Sequence, residues 1–242
     1  MNNKNIYRGI IHIHSCYSYD SILSIENIAK FALKNKLNFV CVTDHNTIAG
    51  SLALKQYVEK HKLPIEVIIG AEYKTSLGDI IALGIKEEIK ILDFDSFIEE
   101  VKKQGGLLLF PHPYKGHKNI DYIAKKVDLI EVFNSRVGQK ENERAKKLAL
   151  KYGKQIYFAS DAHTYLSLGN CIIEFEKIEN NFLESLLKAK IRPVCCINSY
   201  YFEVVYSQFL KSLKLKDVKI FLKQMKNLLK LGTTLKLFKK IS

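Results

Sequence analysis

The sequence predicts an α/β fold in which parallel strands are covered by helices. Apolar, β-branched-rich runs alternate with segments of helical period from residue 6 to about 195. Those runs are continuously apolar, the pattern of strands buried on both faces. The 242 residues, 47% of them hydrophobic, suffice for one sizeable core. An open doubly wound sheet and a closed barrel both satisfy these observations.

Strands are predicted at residues 10–14, 39–43, 65–69, 80–85, 107–110, 129–133, 156–159 and 171–175, each followed by turn-forming or polar residues. Ser24 caps a helix on which Ile25, Ile28, Ala29, Ala32 and Leu33 make one apolar face. Ser96 and Glu99 form a capping box ahead of Val101, and Gly105 ends that helix in the left-handed conformation. A third helix is predicted over residues 139–152, stopped by Gly153. The runs at 65–69 and 80–85 are joined only by GAEYKTSLGD, too short for a helical crossover. That connection is predicted to turn back on itself and to place Asp79 near the exit of the preceding strand.

Composition removes several classes of function. The five cysteines, Cys16, Cys41, Cys171, Cys195 and Cys196, show no CxxC spacing, so neither a disulfide framework nor a thiolate zinc site is expected. Residues 1–7 are polar without an apolar leader behind them, and no apolar run approaches the roughly 18 residues of a membrane span. The expectation is a soluble, cytoplasmic protein. Of the net charge of +13, +8 falls within residues 197–242, where ten lysines face Glu203 and Asp217. The predicted organisation is therefore a barrel or sheet domain over 1–196 and a lysine-rich extension over 197–242.

The chemistry is concentrated at the ends of the apolar runs. His12 and His14 close the first, Asp44 and His45 in TDHNTI come after the second, and Glu72 in GAEY after the third. Asp79, His112 in FPHP, Glu131 and Asn134 in EVFNS, and Asp161 and His163 in SDAH take their places in turn. Carboxyl ends of parallel strands share one rim, so these side chains converge. Of the seven histidines, His61 and His117 alone miss such ends and sit in polar surroundings. His12 and His14, at i and i+2 of a strand, are expected to point to one face. With Asp20, the set is His12, His14, Asp20, His45, Glu72, Asp79, His112, Asp161 and His163, more donors than one ion accepts. Clustered divalent ions suit hydrolysis of a phosphoester, because neighbouring cations would hold the non-bridging oxygens, lower the pKa of water and stabilise the leaving oxygen.

The ordered motifs HIHSCYSYDS, TDHNTI, GAE, FPHP and SDAH resemble those of the PHP (polymerase and histidinol phosphatase) superfamily, in particular its small stand-alone phosphoesterases. The resemblance covers about residues 10–175. It implies a distorted (β/α)7 barrel with a trinuclear metal centre, acting on phosphoesters from small phosphomonoesters to nucleotides and oligonucleotide ends. Carried across, His12, His14, Glu72 and Asp161 hold a first ion. Glu72 bridges to a second that takes His112, and Asp20, His45 and His163 hold a third. Relatives often carry a histidine where this chain has Asp79; either the aspartate ligates there, adding a harder donor that favours manganese or iron, or it makes no bond and the site holds two ions, and ligation is the favoured reading.

Asp161, His163 and Arg136 are the candidate catalytic residues; just past EVFNS, Arg136 is placed either to clamp phosphate through its fork of donors or to stand as a solvated loop arginine. Asp44 is expected to steady the rim beside His45, Tyr17 to line the pocket, Cys16 to line it or, as the favoured role, to pack, and Glu131 to sit near the rim without ligating. The cofactors expected are two or three divalent ions, and the partner a phosphorylated small molecule or nucleotide. Residues 216–230 read as a basic amphipathic helix, suited to packing on the barrel or on another subunit, or to non-specific contact with nucleic acid or an anionic membrane. The rival readings are an amidohydrolase-like metal hydrolase and a metal-stabilised scaffold that binds polyanions through the tail.

Overall fold

A computed structural model describes residues 5–178, 181–199 and 201–238. Among them the chain runs β1 (Ile6–Ile13), α1 (Ile25–Lys34), β2 (Phe39–Val42), α2 (Ala49–Lys60), β3 (Glu66–Val67), β4 (Gly70–Thr75) and β5 (Gly78–Leu83). It continues through α3 (Phe94–Lys103), β6 (Leu107–Phe110), α4 (Ile120–Lys126), β7 (Leu129–Asn134), α5 (Gln139–Tyr152) and β8 (Gln155–Ala159). After a 3-10 turn come β9 (Cys171–Glu176), α6 (Phe182–Lys188), β10 (Arg192–Cys196), α7 (Tyr201–Lys214) and α8 (Val218–Phe238).

The strands form two five-stranded sheets, ordered β10-β9-β1-β2-β3 and β4-β5-β6-β7-β8. Parallel pairs are β1–β2, β2–β3, β6–β7 and β7–β8. The hairpin β4–β5 and the pairs β5–β6, β1–β9 and β9–β10 are antiparallel. The α/β class is the predicted one, but the ladders do not close into a single barrel. The sheets meet instead through isolated bridges, Ile13 with Ala162 and His45 with Glu72. At those seams the His14 N–H donates to the Ala162 carbonyl at 2.9 Å and the Asn46 N–H to the Glu72 carbonyl at 2.8 Å. Candidate donors therefore stand where one sheet passes to the other.

Every residue of β2 is buried, and β6 nearly so, which explains their unbroken apolar runs. Phe94, Phe97, Ile98 and Val101 of α3 pack on one layer of the core, and Ile28, Ala29 and Ala32 of α1 on another. Ser24 caps α1 as expected, accepting the Asn27 N–H at 3.2 Å. Gly153 ends α5 in the left-handed conformation at φ +60°.

Four sequence expectations change. The strand at 65–69 is only Glu66–Val67, while GAEYKT, read as a connection, is β4 itself. Its hairpin pairs Lys74 with Asp79 and turns where Thr75 Oγ1 donates to the Gly78 carbonyl, as the short link required. Helix α3 starts a turn earlier than the Ser96 capping box: Asp93 accepts the Ser96 N–H at 3.2 Å, because this start buries Phe94. Edge strand β10 and helix α7 stand in the segment after the eighth predicted strand, where periodicity marked neither. Helix α8 spans the residues read as amphipathic, but the side chains of Leu228 and Lys230 lie outside the described residues. Among the described residues no helix is long and apolar enough to cross a membrane.

Candidate metal centre

The first strand ends in a distortion. His12 has φ +59°, in the left-handed region, and the β1–β2 register shifts between Ile10 and Ile13. His12 and His14 thus share a cavity, with ring centroids 5.4 Å apart, through a kink and not through plain strand alternation. His112 (φ +30°) and Asp161 (φ +51°) are left-handed as well. Such backbone costs on the order of 1–3 kcal/mol per residue and persists only where surrounding structure enforces it. Three of the nine candidate donors carry this strain, which re-aims each strand end toward one point.

The side chains do meet. Glu72 Oε2 lies 3.3 Å from His14 Nε2, 3.5 Å from His12 Nε2 and 3.3 Å from His45 Nδ1, while its Oε1 is 3.1 Å from His112 Nε2. Asp161 Oδ1 is 3.6 Å from His12 Nε2, 3.4 Å from His14 Nε2 and 3.4 Å from His163 Nδ1. Asp20 Oδ2 sits 3.3 Å from His45 Nε2 and 3.2 Å from His163 Nε2. Three overlapping groups result: His12, His14 and Asp161; His12, Glu72 and His112; and His14, Asp20, His45 and His163. Asp79 stands at the edge of this set, grouped with His112 and with His117, a histidine whose polar sequence surroundings did not suggest a site.

These residues fit divalent ions. His12 Nε2, His14 Nε2 and Asp20 Oδ1 are buried without a hydrogen-bond partner, an arrangement that is costly unless a cation takes the lone pairs. Burial works against a charged imidazole at His12, yet Glu131, Asp161 and Glu72 hold its pKa well above the ordinary histidine value. At His14, burial together with His163 and His45 pushes the pKa down to about 4. Burial opposes ionisation of Glu72 and Asp161, but His12 and His45 around the first, and His12 and Arg136 around the second, hold both well below the carboxylate range.

A second layer of residues orients the donors. Glu131 does not join the groups; its Oε1 accepts from His12 Nδ1 at 2.8 Å and its Oε2 from the His112 N–H at 2.6 Å. Asn134 Nδ2 donates to Glu131 Oε2 at 2.9 Å and to Asp161 Oδ2 at 3.3 Å. Asp44 accepts the Ser15 N–H and hydroxyl, each at 2.6 Å, and steadies the rim as expected. Gly50 makes room for that pair, since a Cβ there would fall 1.8 Å from Asp44 Oδ2. Ser18 carries no signal in the sequence; its Oγ accepts the His45 N–H at 3.1 Å and lies 3.3 Å from His14 Nδ1.

The PHP domain family matches residues 11–233 of the chain. The chain belongs to that family. Two curated proteins of Methanocaldococcus jannaschii resemble it: MJ1587 is 39% identical over 52% of this chain and 80% of its own length, and MJ0417 is 31% identical over 69% and 70%. Among solved structures, a two-domain Bacteroides vulgatus protein containing a predicted PHP-like metal-dependent phosphoesterase matches with a TM-score of 0.65 at 18% identity, over 79% of this chain and 65% of that one.

In this PHP domain the cavity over the donors has a volume of about 270 Å³ and a cationic rim of Lys74, Lys115, Arg136 and Lys211. Arg136 is not the solvated loop residue that its position also allowed. Its side chain is 6% exposed, with Nη1 against the His163 ring nitrogens and 3.7 Å from Asp161 Oδ1, and Nη2 donates to Ser207 Oγ at 2.7 Å. Helix α7 thereby reaches the PHP site. Lys211 Nζ lies 4.7 Å over the Tyr19 ring, which stacks on His45 at 4.6 Å, and Lys214 Nζ donates to the Ser18 carbonyl at 2.8 Å. Gln208 lines the same cavity. Neither Tyr17 nor Cys16 does; both are exposed, so Cys16 is not buried in packing either. No motif in the sequence marks Gln208 or Lys211, because their relation to the site depends on how α7 docks.

Proposed function

We propose that the protein is a metal-dependent phosphoesterase that hydrolyses a small phosphomonoester, a nucleotide or an oligonucleotide end at a di- or trinuclear centre. The observation that carries this reading is the convergence of buried imidazole nitrogens lacking partners with carboxylates 3.3–3.6 Å away, beneath a cationic rim. His12, His14, Glu72 and Asp161 would hold one ion, Glu72 and His112 a second, and Asp20, His45 and His163 a third. Manganese, iron and zinc all suit these donors. When bound, such ions supply Lewis-acid stabilisation of phosphoryl oxygens and lower the pKa of water.

The chain's own residues then position and neutralise. Arg136 is buried beside Asp161 and His163, where its guanidinium can take a phosphoryl oxygen in a water-poor site. Lys74, Lys115 and Lys211 raise the local concentration of anions at the mouth. Glu131 and Asn134 keep His12, His112 and Asp161 in place, so little reorganisation accompanies reaction. An amide or lactone substrate would give the four rim cations no phosphate to meet.

The test is metal analysis of the purified protein, followed by sugar phosphates, histidinol phosphate, nucleotides and short oligonucleotides assayed beside amides and lactones. Hydrolysis of phosphoesters should need added divalent metal and fall at least ~100-fold in Asp161→Ala and His12→Ala. Turnover that persists after chelation, or activity confined to amides and lactones, would overturn the reading.

A further inference from the structure

His117 lies on the loop after β6, and its surroundings are not those of a polar surface histidine. Its Nε2 hydrogen-bonds to the Asp79 carbonyl at 2.8 Å, so Nε2 carries the proton and Nδ1 the lone pair. That Nδ1 is buried and has no hydrogen-bond partner. The ring is wedged in place: Phe110 packs edge-on with centroids 4.8 Å apart, and a Cβ at Gly78 would fall 2.3 Å from His117 Cδ2. Glycine at position 78, with φ +132°, is what lets the imidazole approach the β4–β5 hairpin.

Beside it stand the Asp79 carboxylate and His112, and one donor atom from each of the three residues lies within 4.8 Å of the others. We propose that His117 and Asp79 are ligands of the ion held by Glu72 and His112, completing a set of two imidazoles and two carboxylates. This rests on the metal-dependent reading above. A neutral imidazole with one nitrogen donating to a backbone carbonyl and the other bare is the arrangement of an oriented metal ligand. A histidine present only to bracket the strand has no reason to bury an unpaired lone pair. Continuity supports the same assignment, since Glu72 Oε1 is already 3.1 Å from His112 Nε2. The Lys74–Asp79 ion pair, 3.4 Å long with an exposed lysine, is weak enough to give way to a cation. Aspartate at position 79 is thereby compensated by a histidine from a different loop.

The experiment loads the full chain with Mn2+ or Zn2+ and measures bound equivalents by mass spectrometry, affinity by chelator competition, and the melting temperature of the metal-free protein. His117→Ala, His117→Gln and Asp79→Asn should each hold about one equivalent fewer, or bind the weakest equivalent at least ~10-fold less tightly. His61→Ala, at an exposed helix end, should match wild type. His117→Gln keeps an N–H for the Asp79 carbonyl and removes the imidazole lone pair. If that variant retains the full complement at wild-type affinity, His117 is only a strand bracket and the inference falls, while the hydrolase reading stands. A wild-type chain that takes up no metal overturns both.

Discussion

Glu131 Oε1 accepts a hydrogen bond from His12 Nδ1 at 2.8 Å while its Oε2 accepts the backbone N–H of His112 at 2.6 Å. One carboxylate therefore fixes the tautomer of the first candidate ligand and the backbone of another from a different sheet. Replacing it by glutamine leaves the shape but removes the charge. Glu131→Gln should weaken metal affinity by about 10–100-fold with the fold intact, as read by chelator competition and circular dichroism. Unchanged affinity would show that His12 needs no anionic partner.

Metal uptake should release protons. The pKa of His12 is held above its ordinary value of 6.5, and so is that of His45, where Glu72 and Asp20 outweigh burial. In the metal-free chain each contributes stability that is full below pH 6.5 and is lost as pH rises through the raised value. Ligation requires neutral imidazoles, so affinity should rise across that same window. Calorimetric titration in buffers of different ionisation enthalpy near pH 7 should report at least one proton displaced per chain; a buffer-independent heat would contradict it.

Arg136 is tethered from behind, with Nη2 on Ser207 and Nη1 toward Asp161 and His163. Lysine cannot span both contacts. Arg136→Lys should lower kcat/KM on a phosphoester by about tenfold or more, and Ser207→Ala, which frees one end of the fork, by less than tenfold. Steady-state kinetics on the two variants checks the order. A Ser207→Ala loss equal to that of Arg136→Lys would mean that α7, and not the guanidinium, sets the site.

At Gly50 a methyl group would overlap Asp44 Oδ2 and approach Ser15 Oγ to 2.4 Å. Both side chains are fully buried and hydrogen-bonded to each other, so neither yields cheaply. Gly50→Ala should destabilise the metal-free protein by about 1–3 kcal/mol in urea unfolding and displace His45 from the cluster. Stability equal to wild type would show that the Asp44–Ser15 contact adapts.

Legibility in the sequence varies with the range of the interactions involved. Continuous apolar runs announce buried strands, and Ser24 and Gly153 announce helix ends, since those signals lie within a few residues of what they govern. His12, His14, His45, Glu72, His112, Asp161 and His163 can be picked out because imidazoles and carboxylates are conspicuous at the ends of apolar runs, and Asp20 because it follows in the first motif. The antiparallel strand β4 is hidden: GAEYKT looks like a loop until β5 folds back to satisfy its backbone groups.

By itself, then, the amino-acid order determined the α/β class, the family and the set of candidate histidines and carboxylates, all of which depend on residue type and local spacing. Only the tertiary structure decided that two open sheets meet at those donors, that left-handed backbone at His12, His112 and Asp161 aims them, and that Glu131 stands behind them. It alone brought His117 to Asp79 and set α7 over the cavity. The physical reason is that register, strain and helix docking are set by packing between segments far apart in the chain, and a single sequence carries no local mark of such contacts.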